Sequence, residues 1–359
     1  PPMRSPDVQQ LGMFSYVSVE ERVPSDHPIR KLRVLVDGIL VELDEVLAAR
    51  YAEGGRPSIP PERLLRASLL QVVYSVRSER LLMEQLNYNL LFRWFVGLNV
   101  DDPVWDHSTF SFNRERLFDE AIAQRFFEHT VLLARMQDLV SDEHFSVDGT
   151  LLEAWASHKS FRPKDGSDND GDDFHGEKRS NDTHASTTDP DARLIRKGKG
   201  KEAKLSYLAN ALMENRNGLL VAVDVRHASG TGERDGALDL LTAAGVKPGA
   251  TLGADKGYDT QDFVAALKQR GIKPHIARHI KGRRSAVDHR TARGKGYAMS
   301  LQVRKRIEQG FGWIKTIGGL RKLPLVALPT VRGWVTWTFA AYNLIRLGGI
   351  GEWWNPSPT

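Results

Sequence analysis

The spacing of apolar residues changes near residue 140, and this change divides the chain into two parts. In the first part apolar residues recur every three or four positions, as in the series Ile29, Leu32, Leu35, Ile39, Leu43 and Leu47. This period places the apolar side chains on one face of an α-helix. It predicts four helices, over about 28–51, 61–77, 79–97 and 118–138.

A candidate DNA-binding helix lies between the third and fourth of these helices, in the segment DDPVWDHSTFSFNRERL. Asp106 or Ser108 can cap a helix that begins near Thr109. Two short helices, a turn and a helix rich in Ser, Asn and Arg are typical of a helix-turn-helix. Arg114 and Arg116 would then contact DNA, although an exposed helix face explains these two residues equally well.

From residue 142 onward, short apolar runs of strand length alternate with helical patterns. Strands are predicted over about 143–150, 203–213, 219–227, 251–254 and 272–276. Helices are predicted over about 233–245 and 261–270, followed by a helix that carries Glu308. The Asn217-Gly218 pair is a strong hairpin signal between the second and third strands. Two polar segments interrupt the pattern, a charged loop over 157–200 and a basic loop over 278–296. Much of the charged loop is predicted to be flexible, although its part NDTHASTTDPDARLIRKG is expected to be more ordered.

This order of elements predicts a ribonuclease H-like α/β domain, with a mixed five-stranded sheet and helices, preceded by an all-α domain that contains the helix-turn-helix. The predicted boundaries are a tail over 1–27, the helical DNA-binding domain over 28–138, the catalytic domain over 139–347 and a tail over 348–359.

Three acidic residues occupy matching places in this predicted domain. Asp148 and Asp255 each follow a short apolar run, which we interpret as a strand that ends at the carboxylate, and Glu308 lies on a helix. Carboxylates from two strands and a helix can converge to hold two Mg²⁺ ions about 4 Å apart for phosphoryl transfer, with Asp148 between the ions. Gly149 and Gly257 would let a nucleic-acid backbone approach closely.

Each acid alone has an ordinary structural explanation, because an aspartate before glycine is common in turns and a helical glutamate is usually solvated. The functional interpretation therefore depends on the placement of all three together. Among neighbouring acids, Asp259 and Asp262 are expected to start the following helix.

The charge distribution indicates a polyanionic partner. The whole chain carries a net charge of +5, but sixteen Lys and Arg residues face only two acids between Leu267 and Lys322. Such a concentration of positive charge around Glu308 favours nucleic acid over a merely solvated surface. The chain has no cysteine, which suits a reducing cytoplasm, and no run of eighteen apolar residues that would span a membrane.

Three segments resemble the catalytic blocks of bacterial insertion-sequence transposases of the DDE class: FSVDGTLLEAWASHKS, TLGADKGYDT and VRKRIEQGFGWIKTIGGLRK. They are similar in particular to the branch called insertion sequence family five, within the insertion sequence four-like group. The resemblance extends over nearly the whole chain. It implies that Asp148, Asp255 and Glu308 are catalytic and bind two Mg²⁺ ions, for which Mn²⁺ would substitute.

That group has a signature around its glutamate: Tyr, two residues, Arg, three residues, Glu, six residues, Lys. Arg304, Glu308 and Lys315 match it, whereas Leu301 stands at the tyrosine position and the nearest tyrosine is Tyr297. The resemblance implies that Arg304 and Lys315 grip phosphates near the DNA end. Their spacing agrees, since Arg304 and Glu308 would share one helical face. Further DNA contacts are expected from basic residues in or near the catalytic blocks, namely Lys256, Lys281, Arg283 and Arg284.

The resemblance implies a DNA transposase that binds terminal inverted repeats of double-stranded DNA, cleaves the transposon ends and joins their 3′ hydroxyls to target DNA. It also implies a homodimer or a larger synaptic complex, acting on the bacterial nucleoid. Two alternatives remain at this level. One is a metal-dependent nuclease of the same fold without strand transfer, and the other is a DNA-binding derivative without catalysis.

Overall fold

The computed structural model describes residues 18–51, 58–109, 112–113, 119–165, 180–198, 200–280 and 284–350. The predicted DNA contacts Arg114, Arg116, Lys281 and Arg283 lie outside these residues, as does most of the predicted helix-turn-helix recognition helix.

The N-terminal part is helical, as its apolar period predicts. Its helices in chain order are Val19–Arg22 (α1), Pro28–Glu42 (α2), Asp44–Ala48 (α3), Pro61–Val73 (α4), Glu79–Tyr88 (α5), Leu90–Val96 (α6) and Glu120–Met136 (α7). The helix predicted over 79–97 is two helices, because Asn89 adopts an extended conformation and its side chain caps α6 by accepting the Phe92 N–H. Helix α6 ends at Gly97, which has a positive φ, as expected of a C-terminal glycine.

The second part is built on one mixed sheet. Its strands are His144–Glu153 (β1), Arg193–Arg196 (β4), Ala203–Glu214 (β5), Leu220–His227 (β6), Thr251–Ala254 (β7) and Lys273–Ile276 (β8). Phe161–Pro163 (β2) and His184–Ser186 (β3) form a separate pair. In the main sheet β5 pairs antiparallel with β1, while β7 and β8 continue parallel to β1 on its other side. This mixed order is consistent with the ribonuclease H-like topology expected from the sequence.

The sheet has six strands, so the prediction of five was wrong. The additional strand is β4, which pairs with the first residues of β5. The following residues of β5 pair with β6 on the same edge. Much of the segment 157–200 was predicted to be flexible, with the part from 181 to 198 more ordered; its described residues include β2, and β3 and β4 lie in that more ordered part. Buried Asp189 holds this segment in place by accepting the Tyr207 hydroxyl at 2.6 Å.

Helices cover both faces of the sheet. They are Gly232–Ala243 (α8), Gln261–Gln269 (α9), His289–Arg293 (α10), Lys295–Val303 (α11), Arg306–Thr316 (α12) and Leu328–Gly348 (α13). Helix α8 packs on β5 and β6, whereas α13 packs on β6 and on α7 of the N-terminal part. The buried apolar residues of both parts therefore form one continuous core. None of the helices in the described ranges is long and apolar enough to cross a bilayer.

Candidate active site

Asp148 lies in the middle of β1, so the prediction that its strand ends at the carboxylate was wrong. The strand continues to Glu153 because it keeps its antiparallel partner β5 along that whole length. Its other neighbour, β7, pairs with β1 only as far as Ser146 and Gly253. The edge of β1 is therefore open at Asp148, which leaves room for a cavity beside its side chain.

Asp255 follows the last residue of β7 directly, as predicted. The parallel register that pairs Ser146 with Gly253 places Asp255 in the position next to Asp148 when it is continued by two residues. One carboxylate oxygen of Asp255 accepts the backbone N–H of Gly257 at 2.6 Å and caps a short 3₁₀ turn. The role of Gly257 seen here is to fix this carboxylate.

Glu308 lies in the first turn of α12 with an exposed side chain. Asp148, Asp255 and Glu308 line one cavity of about 590 Å³, so the structure brings the three predicted acids together. The same wall contains Glu233 of α8 and the basic residues Arg196 and Lys197 at the end of β4.

Glu233, Arg196 and Lys197 are absent from the sequence-based site. A glutamate in the first turn of a helix is common because it favours the helix dipole, so Glu233 carries no distinguishing signal. Arg196 and Lys197 lie in a dense basic run, RLIRKGKGK, and this run is the sequence signal that could have identified them as DNA contacts. That run was included in a loop whose position could not be predicted.

The carboxylates of this cavity destabilise one another's charged forms. Burial first, and then the nearby charges of Asp255 and Glu233, raise the pKa of Asp148 to about 7, although the hydrogen bond from the Gly149 N–H and the charge of Arg304 lower it. The pKa of Glu233 is also raised, first by burial and then by Asp255. A cation placed among these acids would relieve both effects.

The fit of divalent metal to this cavity depends on its donor atoms. Within the described ranges, no three Asp, Glu, His or Cys side chains form a ready-made ligand group. The acids that line the cavity nevertheless offer only carboxylate oxygens, which hard cations such as Mg²⁺ prefer. The donor set therefore fits the divalent metal that the sequence predicts.

Gly149 lines the cavity, but the protein fills the side on which a side chain would project. A Cβ atom at Gly149 would lie 2.7 Å from Cγ of Glu233 and 2.8 Å from Oδ1 of Asn210. The absence of a side chain at this position makes room for Glu233.

Arg304 lies between α11 and α12, in a turn that interrupts the helix predicted to carry both Arg304 and Glu308. Arg304 and Glu308 therefore do not lie on one continuous helix, and no ion pair joins their side chains. Cβ of Arg304 lies 3.4 Å from the point that a Cβ atom on Gly253 would occupy. The buried Nε of Arg304 has no hydrogen-bond partner. This places the guanidinium near Asp148, whose pKa it lowers.

Lys315 contacts the protein itself. Its Nζ donates to Oγ1 of Thr150 at 2.6 Å and to the carbonyl of Leu151 at 2.8 Å, which ties α12 to β1. Burial, followed by the charges of Lys197 and Arg321, lowers the pKa of Lys315. Its bonds indicate that Lys315 positions the helix of Glu308, which is a different task from the predicted phosphate contact.

Leu301, at the tyrosine position of the signature, and Tyr297, the nearest tyrosine, both pack against the protein. Leu301 is partly buried against the core. Tyr297 is buried, and its hydroxyl donates to the carbonyl of Ile276 at 2.8 Å. Tyr297 therefore fixes α11 to β8, and it does not line the cavity.

Of the other predicted DNA contacts, Lys256 and Arg284 are exposed and lie outside the cavity wall. The base of the basic loop is held by Asp259, whose carboxylate accepts the N–H groups of His279 and Ala286, each at 2.8 Å. Asp259 was predicted to start helix α9. It is instead buried, and α9 begins after Thr260.

A cavity that collects carboxylates from two adjacent parallel strands and a helix, beside basic residues, is the arrangement by which polynucleotidyl transferases and endonucleases hold divalent metal. The sequence model of the Transposase DDE domain matches residues 142–344, and that of the Transposase domain (DUF772) matches residues 17–116. The first match covers more than half of the chain. The chain therefore belongs to the Transposase DDE domain family and is a transposase.

Comparison with individual proteins adds little to this assignment. No curated protein matches the chain. Among solved structures, the chain is similar to the piggyBac transposase synaptic complex with hairpin DNA, at 10% identity and a TM-score of 0.42, over 89% of this chain and 75% of that chain. It is also similar to the Mos1 transposase paired-end complex with the left transposon end, at 11% identity and a TM-score of 0.20, over 62% and 61% of the two chains.

Proposed function

We propose that this transposase binds the terminal inverted repeats of its element, cleaves the transposon ends and joins their 3′ hydroxyls to target DNA. The observation that carries the proposal is the convergence of Asp148, Asp255 and Glu308 on one cavity in a chain of this family. We assign these three residues as catalytic, and the branch as insertion sequence family five within the insertion sequence four-like group. Leu301 is the departure from that branch's signature.

Asp148, Asp255 and Glu308 would hold divalent cations, Mg²⁺ with Mn²⁺ as a substitute. Two such ions, when bound, stabilise the attacking and leaving oxygens of a phosphodiester during displacement. The chain fixes its carboxylates for this purpose with backbone N–H donors. Gly149 donates to Asp148 and Gly257 donates to Asp255, so one oxygen of each side chain has a defined position.

The basic residues around the cavity would hold the DNA. Arg196 and Lys197 lie on the cavity wall, and Arg304 has an unpaired buried Nε beside Asp148. A polyanion would satisfy all three groups. Lys256, Arg284 and the basic loop with Lys281 and Arg283 would extend this surface along double-stranded DNA. Arg114 and Arg116 of the helix-turn-helix would contact the inverted repeat.

Two transposon ends must be handled together, so we propose a homodimer or a larger synaptic complex as the acting form. The site of action would be the nucleoid in the bacterial cytoplasm.

A cleavage and joining assay tests this function. Purified protein is incubated with Mg²⁺ and labelled duplexes that carry the DNA flanking its coding sequence, either intact or already cleaved at the 3′ end. Wild-type protein should cut the intact ends and join the cleaved ends to a plasmid. Joining separates a transposase from a nuclease of the same fold.

The variant Asp148→Asn should bind the same duplexes and neither cut nor join them. Asp262→Asn is the matched control, because Asp262 is an exposed acid in the first turn of α9. Cleavage by Asp148→Asn at the rate of wild type would overturn the catalytic assignment.

A further inference from the structure

We infer that Glu233 is a fourth carboxylate ligand of the divalent-cation site. Helix α8 carries this residue, and its side chain lies over Gly149 of β1. The inference rests on the proposed function, because it adds a residue to the site assigned there. Glu233 lines the same cavity as Asp148, Asp255 and Glu308.

The contact between α8 and the sheet places Glu233 at this level. Gly236, one turn after Glu233, lies so close to Asn210 of β5 that a Cβ atom there would overlap the side-chain amide. Gly149, paired with Asn210 across the strands, likewise has no room for a side chain. The two glycines let the helix sit close to the sheet, and Glu233 lies directly over Gly149.

Among the described residues, the charges of Arg234 and Lys197 favour the ionised form of Glu233, but neither side chain bonds to it. Its carboxylate forms no hydrogen bond or ion pair with any described residue, although the side chain is partly buried. A partly buried carboxylate without a partner is destabilising. An acid in this setting is accounted for by a cation that neutralises it.

A second observation points to the same ligand. Tyr258 is fully buried, and its hydroxyl oxygen has no hydrogen-bond partner. Tyr258 ends the 3₁₀ turn that Asp255 caps, and the charges of Asp148, Glu233 and Asp255 add to burial in raising its pKa. A water of a hydrated cation held by these acids would give the unpaired phenol oxygen a partner.

The test is Mn²⁺ binding to the DNA-free protein, measured by isothermal titration calorimetry for wild type, Glu233→Gln and Asp235→Asn. Asp235 is an exposed acid in the same first helical turn, so it controls for the helix dipole. We expect Glu233→Gln to weaken Mn²⁺ binding by about tenfold or more, and Asp235→Asn to leave it unchanged. Equal affinity of Glu233→Gln and wild type would overturn the inference while leaving the proposed function intact.

Thermal melting without metal separates a ligand from a structural residue. Glu233→Gln removes a charge that opposes Asp148 and Asp255, so we expect it to melt at or above the temperature of wild type in EDTA. A lower melting temperature together with normal Mn²⁺ affinity would show a structural role and overturn the inference. If Asp148→Asn and wild type bind Mn²⁺ equally and neither cuts DNA, the proposed function fails, and the inference fails with it.

Discussion

Asp148 carries the largest electrostatic cost at the candidate site, because it is ionised at neutral pH only against burial and two neighbouring acids. Its pKa in the folded protein is raised to about 7, compared with about 3.9 in an unfolded chain. A raised carboxyl pKa contributes stability that is complete below the unfolded value and is lost as pH rises through the folded value. The metal-free protein should therefore lose stability from this group between pH 4 and pH 7.

We predict that Asp148→Asn removes this pH dependence. Between pH 5 and pH 8 in EDTA, the free energy of unfolding of wild type should fall relative to the variant by roughly 3 kcal/mol at most. Urea unfolding at the two pH values measures this difference, and Asp262→Asn serves as the control. If the free energies of unfolding of wild type and Asp148→Asn differ by the same amount at both pH values, the raised pKa is contradicted.

Gly149 gives a second prediction at this scale, because its missing side chain is the space that Glu233 occupies. Gly149→Ala would place a methyl group 2.7 Å from Cγ of Glu233. We expect it to destabilise the fold by roughly 1–3 kcal/mol in urea unfolding. Part of this loss should be recovered when Glu233→Ala is added.

The control for this substitution is Gly38→Ala, at an exposed helical position of α2 where nothing lies within 4 Å of the added atom. We expect Gly38→Ala to stabilise the protein by about 0.5–1 kcal/mol, as for alanine in other helices. A neutral effect at Gly149 would show that Glu233 moves aside freely and does not depend on that space.

At the scale of elements, β4 brings positive charge to the cavity from a segment with little pattern of its own. Arg196 ends the strand and Lys197 follows it, and both line the cavity. We predict that the pair Arg196→Ala and Lys197→Ala weakens DNA-end binding. Loss of two phosphate contacts should reduce the slope of log K against log salt concentration by about 2.

Fluorescence anisotropy with a labelled end duplex, at several salt concentrations, measures this slope. Lys247→Ala with Lys273→Ala is the matched control, because both lysines are exposed, Lys247 before the start of β7 and Lys273 at the start of β8, whereas Asp255 follows the other end of β7. If the control pair changes the slope as much as Arg196 and Lys197, β4 has no special part in DNA binding.

The sequence predicts elements well where apolar residues repeat, and poorly where position depends on contacts distant in the chain. The strands at 203–214 and 220–227 were predicted within one residue, because buried apolar residues and the Asn-Gly hairpin mark them. Strand β4 was missed since only Leu194 and Ile195 are apolar there. The break at Arg304 was missed because neither proline nor glycine marks it.

The candidate site divides in the same way. Asp148, Asp255 and Glu308 could be placed together because each follows a recognisable local pattern. Glu233 could not, because its position depends on how closely α8 approaches β5, which is set by Gly236 and Asn210. Lys315 was found at the right spacing, but its bonds to Thr150 and Leu151 depend on the packing of α12 against β1.

At the scale of the whole molecule, the N-terminal helices and the sheet share one core, so we predict that they unfold together. Helices α7 and α13 pack along their lengths, with the rings of Phe126 and Trp337 4.3 Å apart. An ion pair from Arg332 to Glu120 joins the same two helices at 2.9 Å. Without α7, the apolar face of α13 would be exposed to water.

Differential scanning calorimetry should therefore show one transition for the whole chain, with equal calorimetric and van't Hoff enthalpies. Phe126→Ala should lower the temperature of that single transition, since loss of a buried phenylalanine costs about 3–5 kcal/mol. Met136→Ala on the same helix is the control, because Met136 is 76% exposed. Two separate transitions, with only one of them moved by Phe126→Ala, would show that the predicted boundary near residue 138 separates independent domains.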